Sequence, residues 1–76
     1  MNPAVAQILS DSLGIPVENV QPSLSMANTP VWDSVMHLNI CLSLEQEFKT
    51  ELSPEEMMIM TSAASIEETL ARKGSL

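Results

Sequence analysis

The chain has 76 residues, of which 45% are hydrophobic, and ten acidic against three basic residues give a formal net charge of −7. This is the size of one small domain, close to the lower limit for a core that is stable without disulfides or metals. Three scattered cations cannot form the basic patch with which nucleic-acid-binding proteins displace counterions, so we expect no nucleic-acid partner.

The single cysteine, Cys41, excludes an internal disulfide framework and provides no metal-binding cluster, so we predict no metal site. This cysteine usage also fits a reducing, cytoplasmic compartment. No stretch approaches the roughly 20 apolar residues that cross a bilayer, and residues 1–5 lack the positive charge of a signal peptide. The sequence therefore predicts a cytoplasmic chain that does not insert into a membrane.

The first helix is predicted over residues 3–13. Asn2 is a good N-cap, Pro3 suits the first helical position, and Gly14 is a typical stop. Apolar residues recur inside this range at helical spacing: Val5, Ile8, Leu9 and Leu13.

A long loop is predicted over residues 14–32, where three prolines stand among small polar residues. Loops of this length are uncommon in compact domains and usually have a function. We expect the apolar residues of the loop to pack across the helices: Val17, Val20, Leu24 and Met26.

The second helix is predicted over residues 34–49, because Asp33 is a good cap and nothing in the range breaks a helix. Glu45 and Lys49 have the spacing and order of a favourable ion pair on a helix surface. The residues predicted to face the core are Val35, Leu38, Cys41, Leu42, Leu44 and Phe48.

A short third helix is predicted over residues 54–60, since Ser53 and Glu56 have the spacing of a capping box and Pro54 suits the first helical position. A fourth helix is predicted over residues 63–73, with Ser62 or Ser65 as its cap. The sequence thus predicts one all-α domain over residues 1–76, a small bundle of three main helices and one short helix with a long first loop.

A serine at the beginning of the second helix is the most unusual local feature. Ser34 follows Asp33 at the end of the long loop and precedes the apolar residues Val35 and Met36. The N–H groups and the macrodipole at a helix N-terminus favour an anion by about 0.3–1 kcal/mol, so a phosphodiester on this hydroxyl would be stabilised. By periodicity alone, Asp33 and Ser34 are ordinary capping residues.

Residues 32–35, Trp-Asp-Ser-Val, are followed by Leu38 and by residues 42–48, Leu-Ser-Leu-Glu-Gln-Glu-Phe. This pattern resembles the acyl carrier protein family, in which an Asp-Ser-Leu-type motif opens the second helix and a Leu-Glu-x-Glu-Phe pattern ends it. Residues 52–56, Leu-Ser-Pro-Glu-Glu, and residues 61–62 resemble the third helix and the turn after it. The resemblance covers essentially the whole chain.

The resemblance implies a non-catalytic carrier with Ser34 as the attachment point of 4′-phosphopantetheine, donated from coenzyme A by a phosphopantetheinyl transferase. The thiol of this arm would hold acyl groups as thioesters. The implied partners are the transferase, an acyl-loading ligase or transferase and downstream biosynthetic enzymes, and we expect a monomer. The implied partner-recognition residues are Asp33, Val35, Met36, Asn39, Glu55, Glu56 and Met57.

The chain departs from carriers of fatty-acid synthesis at the beginning of the second helix. Met36 and Asn39 stand where those carriers commonly have acidic residues, and seven of the ten acids fall between Glu45 and Glu68. Docking near Ser34 should therefore be more apolar. This favours a dedicated carrier of a specialised pathway, such as a polyketide-like, aminoacyl or surface-polysaccharide-linked system.

Several other functions fit parts of the sequence. An unmodified helical module could bind partners through Val35, Met36 and the methionines of the third helix. A hydrolase could pair Ser34 with His37, but no oxyanion loop accompanies them. Cys41 and His37 could form a thiol–imidazole pair or ligate a metal, although a free cysteine is more often a buried apolar residue. A histidine phosphotransfer site would need cations near His37, and none is close in the sequence.

Overall fold

The computed structural model describes residues 1–76, which form an all-α fold, as predicted. The helices are α1 (Pro3–Leu13), α2 (Ser34–Phe48), α3 (Pro54–Ile59) and α4 (Ala63–Arg72). A short 3-10 helix, Val17–Asn19, interrupts the long loop and was not predicted. None of these helices combines the length and the apolar character that crossing a membrane requires.

Polar side chains cap the N-termini of all four α-helices. Asn2 Oδ1 accepts the N–H groups of Ala4 and Val5 at 2.9 and 3.2 Å at the beginning of α1. Ser53 and Glu56 form the reciprocal capping box of α3. Ser62, rather than Ser65, is the N-cap of α4, with Ser65 as its partner at the third helical position. These local bonds satisfy N–H groups that a helix cannot satisfy internally.

The C-terminus of α2 differs from the prediction. The helix ends at Phe48, and Lys49 adopts the left-handed conformation, with φ 51°. Lys49 therefore lies outside the helical geometry that brings residues four apart together, and the predicted ion pair with Glu45 is absent. Glu45 Oε2 instead accepts the N–H of Leu52 at 2.8 Å and fastens the connection between α2 and α3.

The core is mostly aliphatic, includes the aromatic side chain of Trp32, and lies where α1 packs against α2 and α4. Fully burying one large aliphatic side chain stabilises a fold by about 1.5–3 kcal/mol. The buried hydrophobic residues are Val5, Ala6, Leu9, Leu13, Val20, Trp32, Ile40, Cys41, Leu44, Leu52, Met60, Ala63, Ile66 and Leu70.

The predicted core face of α2 is partly wrong. Cys41 and Leu44 are buried, but Val35, Leu38 and Leu42 are 72%, 52% and 46% exposed. Apolar residues follow two sides of this helix, so periodicity alone did not identify the side that faces the core. The buried side follows the residues Met36, Ile40, Cys41, Leu44 and Phe48, of which Met36 and Phe48 are half-buried.

The long loop is fixed against the connection between α3 and α4. The N–H of Met26 donates to the carbonyl of Thr61 at 2.9 Å, and the N–H of Ala63 donates to the carbonyl of Leu24 at 2.8 Å. Leu24 and Met26 pack against the core as predicted, whereas Val17, the first residue of the 3-10 helix, is exposed. These contacts therefore fix the path of the loop that leads to the beginning of α2.

Candidate functional site at the beginning of α2

Ser34 is the first residue of α2, and its side chain is exposed. The N-cap is Asp33, whose Oδ1 accepts the N–H of Met36 at 2.9 Å. The first helical hydrogen bond runs from the N–H of His37 to the carbonyl of Asp33 at 2.8 Å. The N–H groups of Ser34 and Val35 therefore have no partner in the protein, and the Ser34 hydroxyl also makes no hydrogen bond. An anion on Ser34 Oγ would meet two free donors and the positive end of α2.

The serines at the other helix N-termini have a different role. The hydroxyls of Ser53 and Ser62 accept backbone N–H groups as caps of α3 and α4. At α2 the carboxylate of Asp33 does this work, which leaves the hydroxyl of Ser34 free. Asp33 is therefore the capping residue and Ser34 is not, although periodicity alone allowed both to be ordinary capping residues.

Trp32 fixes the segment that enters α2. Its side chain is buried, and its backbone N–H donates to the carbonyl of Thr29 at 2.9 Å. Its indole N–H donates to Nδ1 of His37 at 3.0 Å, and Nε2 of the same ring lies 2.7 Å from the carbonyl oxygen of Met57 in α3. We call this arrangement the Trp32–His37–Met57 chain. It links the segment before Ser34 to α3 through α2.

Only one spacing in the sequence points to the Trp32–His37–Met57 chain. Trp32 directly precedes the N-cap, and His37 is the fourth residue of α2. Residues at these two positions pack together in the hydrophobic staple, which sets the angle at which a chain enters a helix. The Trp32–His37 contact is a hydrogen-bonded version of that staple, with ring centroids 6.0 Å apart.

The recognition residues predicted on α2 differ in accessibility. Val35 and Asn39 are exposed, as is Asp33 before them, while Met36 is half-buried and packs against the core. Together with Leu38 and Leu42, Val35 forms an exposed apolar stripe on α2, named here the α2 stripe. Periodicity predicted all three residues in the core; Val35 was also predicted as a recognition residue, whereas Leu38 and Leu42 were not.

The recognition residues predicted on α3 also differ in accessibility and in their contacts. Glu55 is exposed, whereas Glu56 accepts the N–H of Ser53 at 2.9 Å and the ammonium of Lys73 at 3.1 Å. These two hydrogen bonds, the first above all, lower the pKa of Glu56. Met57 is half-buried against the core and gives its carbonyl to the Trp32–His37–Met57 chain.

The methionine-rich α3 exposes part of its apolar surface. Met60 is fully buried and fills the core, but Met58 and Ile59 are exposed. No pocket lies between the helices of this structure. The side chains of Met58 and Ile59 are thus available at the surface rather than as lining of an internal cavity.

The residues proposed for catalysis or metal binding are not arranged for it. Cys41 is fully buried, and burial, with the nearby charge of Glu45, raises the pKa of its thiol to about 11. Its Sγ lies 3.7 Å from His37 Nε2, which already contacts Met57. Both ring nitrogens of His37 are engaged away from Ser34. Neither a thiolate nucleophile nor a serine–histidine pair is therefore assembled, and no group of three or more His, Cys, Asp and Glu side chains is placed to hold a metal ion.

No protein-family model matches the chain. What it does must therefore be inferred from its own residues and from the geometry at the beginning of α2.

Proposed function

We propose that the chain is a non-catalytic carrier of the acyl carrier protein type, with Ser34 as the attachment point of a 4′-phosphopantetheine arm. The observation that carries this proposal is an exposed, free serine hydroxyl at the first position of α2, directly after a capping aspartate. When attached, the arm supplies the thiol that holds an acyl group as a thioester.

The surroundings of Ser34 fit a phosphodiester. The unpartnered N–H groups of Ser34 and Val35 are donors for its oxygens, and no side chain covers the hydroxyl. Asp33 remains bound to the N–H of Met36, so its carboxylate keeps the helix start in place while the hydroxyl is modified. The buried Trp32 holds the preceding segment against the fold, so that the hydroxyl is presented from a fixed backbone.

The partners that we propose are a phosphopantetheinyl transferase, an acyl-loading ligase or transferase and the downstream biosynthetic enzymes. They would meet the α2 stripe, which is apolar, beside the uncharged Asn39. The carrier would act as a monomer in the cytoplasm. Because acidic residues are concentrated after Glu45, we favour a dedicated polyketide-like, aminoacyl or surface-polysaccharide-linked pathway over general fatty-acid synthesis.

Intact-mass measurement tests the proposal. The purified chain is incubated with coenzyme A, magnesium and a phosphopantetheinyl transferase of broad specificity. We expect one added arm on the wild type and none on Ser34→Ala. Ser43→Ala, which removes a different hydroxyl of α2, is the matched control and should be modified like the wild type. No adduct on the wild type, or an adduct that survives Ser34→Ala, would contradict the proposal.

An unmodified interaction module is the second candidate, favoured by the exposed apolar surface. The α2 stripe, Met58 and Ile59 are apolar side chains that lie at the surface and are not part of the core. A wild-type chain that stays folded, is never modified and still binds a partner through the α2 stripe would support this candidate.

A further inference from the structure

The hydrogen bonds of His37 define its protonation state. The indole N–H of Trp32 can only donate, so Nδ1 must accept from it. The carbonyl of Met57 can only accept, so Nε2 must carry the proton. His37 is therefore neutral, with its single proton on Nε2, and each ring nitrogen has one partner in a different segment of the chain.

A second proton on the ring would break one of these contacts. Protonated Nδ1 becomes a donor and would face the indole N–H of Trp32, whereas the bond from Nε2 to Met57 would persist. The segment that enters α2 would then lose the bond from Trp32 to His37, while α3 would keep the bond between Met57 and His37.

No neighbouring charge compensates for a protonated ring. On α2 the nearest titratable group is the thiol of Cys41, at 3.7 Å from Nε2. On the entering segment, the carboxylate of Asp33 is engaged by the N–H of Met36. On α3, Glu56 is engaged by Ser53 and Lys73, Glu55 is exposed, and no carboxylate forms an ion pair with His37.

We propose that His37 is a positioning residue for the modification of Ser34, because its neutral ring ties both the Trp32 segment and α3 to α2. This inference rests on the proposed carrier function and adds to it a residue that does not touch the transferred group. Ser34 lies between the two residues of the Trp32–His37 bond in the sequence, so loss of that bond removes one of the contacts that hold the backbone presenting the hydroxyl. Modification should therefore weaken when the ring is replaced by an apolar side chain or takes up a second proton.

Nuclear magnetic resonance of the uniformly 15N-labelled chain tests the bond directly. Trp32 and His37 are the only tryptophan and the only histidine, so their ring signals need no assignment. At pH 8 we expect the Nε2–H tautomer and an indole proton that exchanges slowly with water. Both signals should be lost together when lowering the pH adds a second proton to the ring. The Nδ1–H tautomer, or an indole proton that exchanges as in an unfolded peptide at pH 8, would overturn the proposal.

Transferase kinetics test the positioning role. His37→Leu should lower kcat/KM for modification about 3- to 10-fold, the factor that corresponds to one net hydrogen bond. His37→Gln should restore it, because its amide can both accept from Trp32 and donate to Met57. Ile66→Val, which loosens the core in α4 but keeps all three groups of the chain, is the control and should retain the wild-type value.

The pH profile separates positioning from a loss of stability. The ratio of kcat/KM for the wild type to that for His37→Gln should fall over the pH range in which the resonances show a second proton on the His37 ring, since only the wild type gains a proton on Nδ1. A ratio that does not change with pH, or a His37→Leu variant modified as fast as the wild type, would overturn the positioning role. Circular dichroism will show whether His37→Leu folds. If it does not, the pH profiles of the wild type and of His37→Gln alone test the positioning role.

The two proposals can fail separately. A wild type that is never modified contradicts the carrier function and, with it, the positioning role, even when the resonance measurements establish the bond. A wild type that is modified with no dependence on His37 overturns the positioning role alone.

Discussion

Replacing Asp33 separates the two tasks that we assign to this residue, capping of α2 and recognition by the transferase. The side chain is exposed and makes one hydrogen bond, from the N–H of Met36 at 2.9 Å. Loss of such a cap costs about 1 kcal/mol of the free energy of unfolding, within a range of about 0.5–2 kcal/mol. For a domain of this size, about 1 kcal/mol lowers Tm by roughly 4–8 °C. Asp33→Ala should therefore remain folded at 25 °C and yet be modified more slowly.

Asn2→Ala is the matched control, because Asn2 caps α1 through two similar hydrogen bonds at a distance from Ser34 in the sequence. Urea unfolding should give comparable losses of stability for Asn2→Ala and Asp33→Ala. In the transferase assay, only Asp33→Ala should be slower than the wild type. Asp33→Asn keeps a good capping side chain and removes the charge, so it should recover stability and still be modified slowly. Equal modification rates for Asn2→Ala and Asp33→Ala would refute the reasoning.

Four further outcomes follow from single side chains. Thr69 is buried in α4, and its hydroxyl has no hydrogen-bond partner. Thr69→Val should therefore raise the free energy of unfolding by about 1 kcal/mol in urea titrations. Thr61→Val, at an exposed position, should not raise it. Cys41, whose pKa is about 11, should react with a thiol-specific disulfide reagent at pH 8 far more slowly in the native chain than in urea. Folding lowers the pKa of Glu56, so its carboxylate stabilises the native state at pH values above the unfolded pKa of about 4.3. This stabilisation is lost as the pH falls through the folded pKa. Glu56→Gln should therefore be less stable than the wild type at pH 7, and the melting curves of the two proteins should converge at low pH. Leu38→Ser should raise KM of the transferase reaction with little change in Tm, because this side chain is exposed on the α2 stripe.

Local signals were sufficient to predict where the helices begin. Each N-cap satisfies N–H groups two or three residues away, so the residues that decide it are adjacent in the sequence. Fold class followed from the same signals, since four capped helices and no strand pattern leave only an all-α arrangement.

Tertiary contacts could not be predicted in the same way. The orientation of α2 depends on where α1 and α4 lie. Because α2 has apolar residues on two sides, its sequence pattern does not determine which side faces the core. The bond between His37 and Met57 joins residues 20 positions apart, and it exists only because α3 packs beside α2. The same reason explains Glu45, whose carboxylate reaches the N–H of Leu52 instead of pairing with Lys49 along the helix.

The identity of the serine that carries the arm is the central claim, and mapping the modified residue tests it most directly. The wild-type chain is incubated with coenzyme A and the transferase, digested, and fragmented by tandem mass spectrometry. We predict that the whole added mass is found on Ser34, the one serine at a helix N-terminus whose hydroxyl is left free by a capping aspartate. An added mass on any other serine, or a folded chain that takes up no arm, would contradict the proposal.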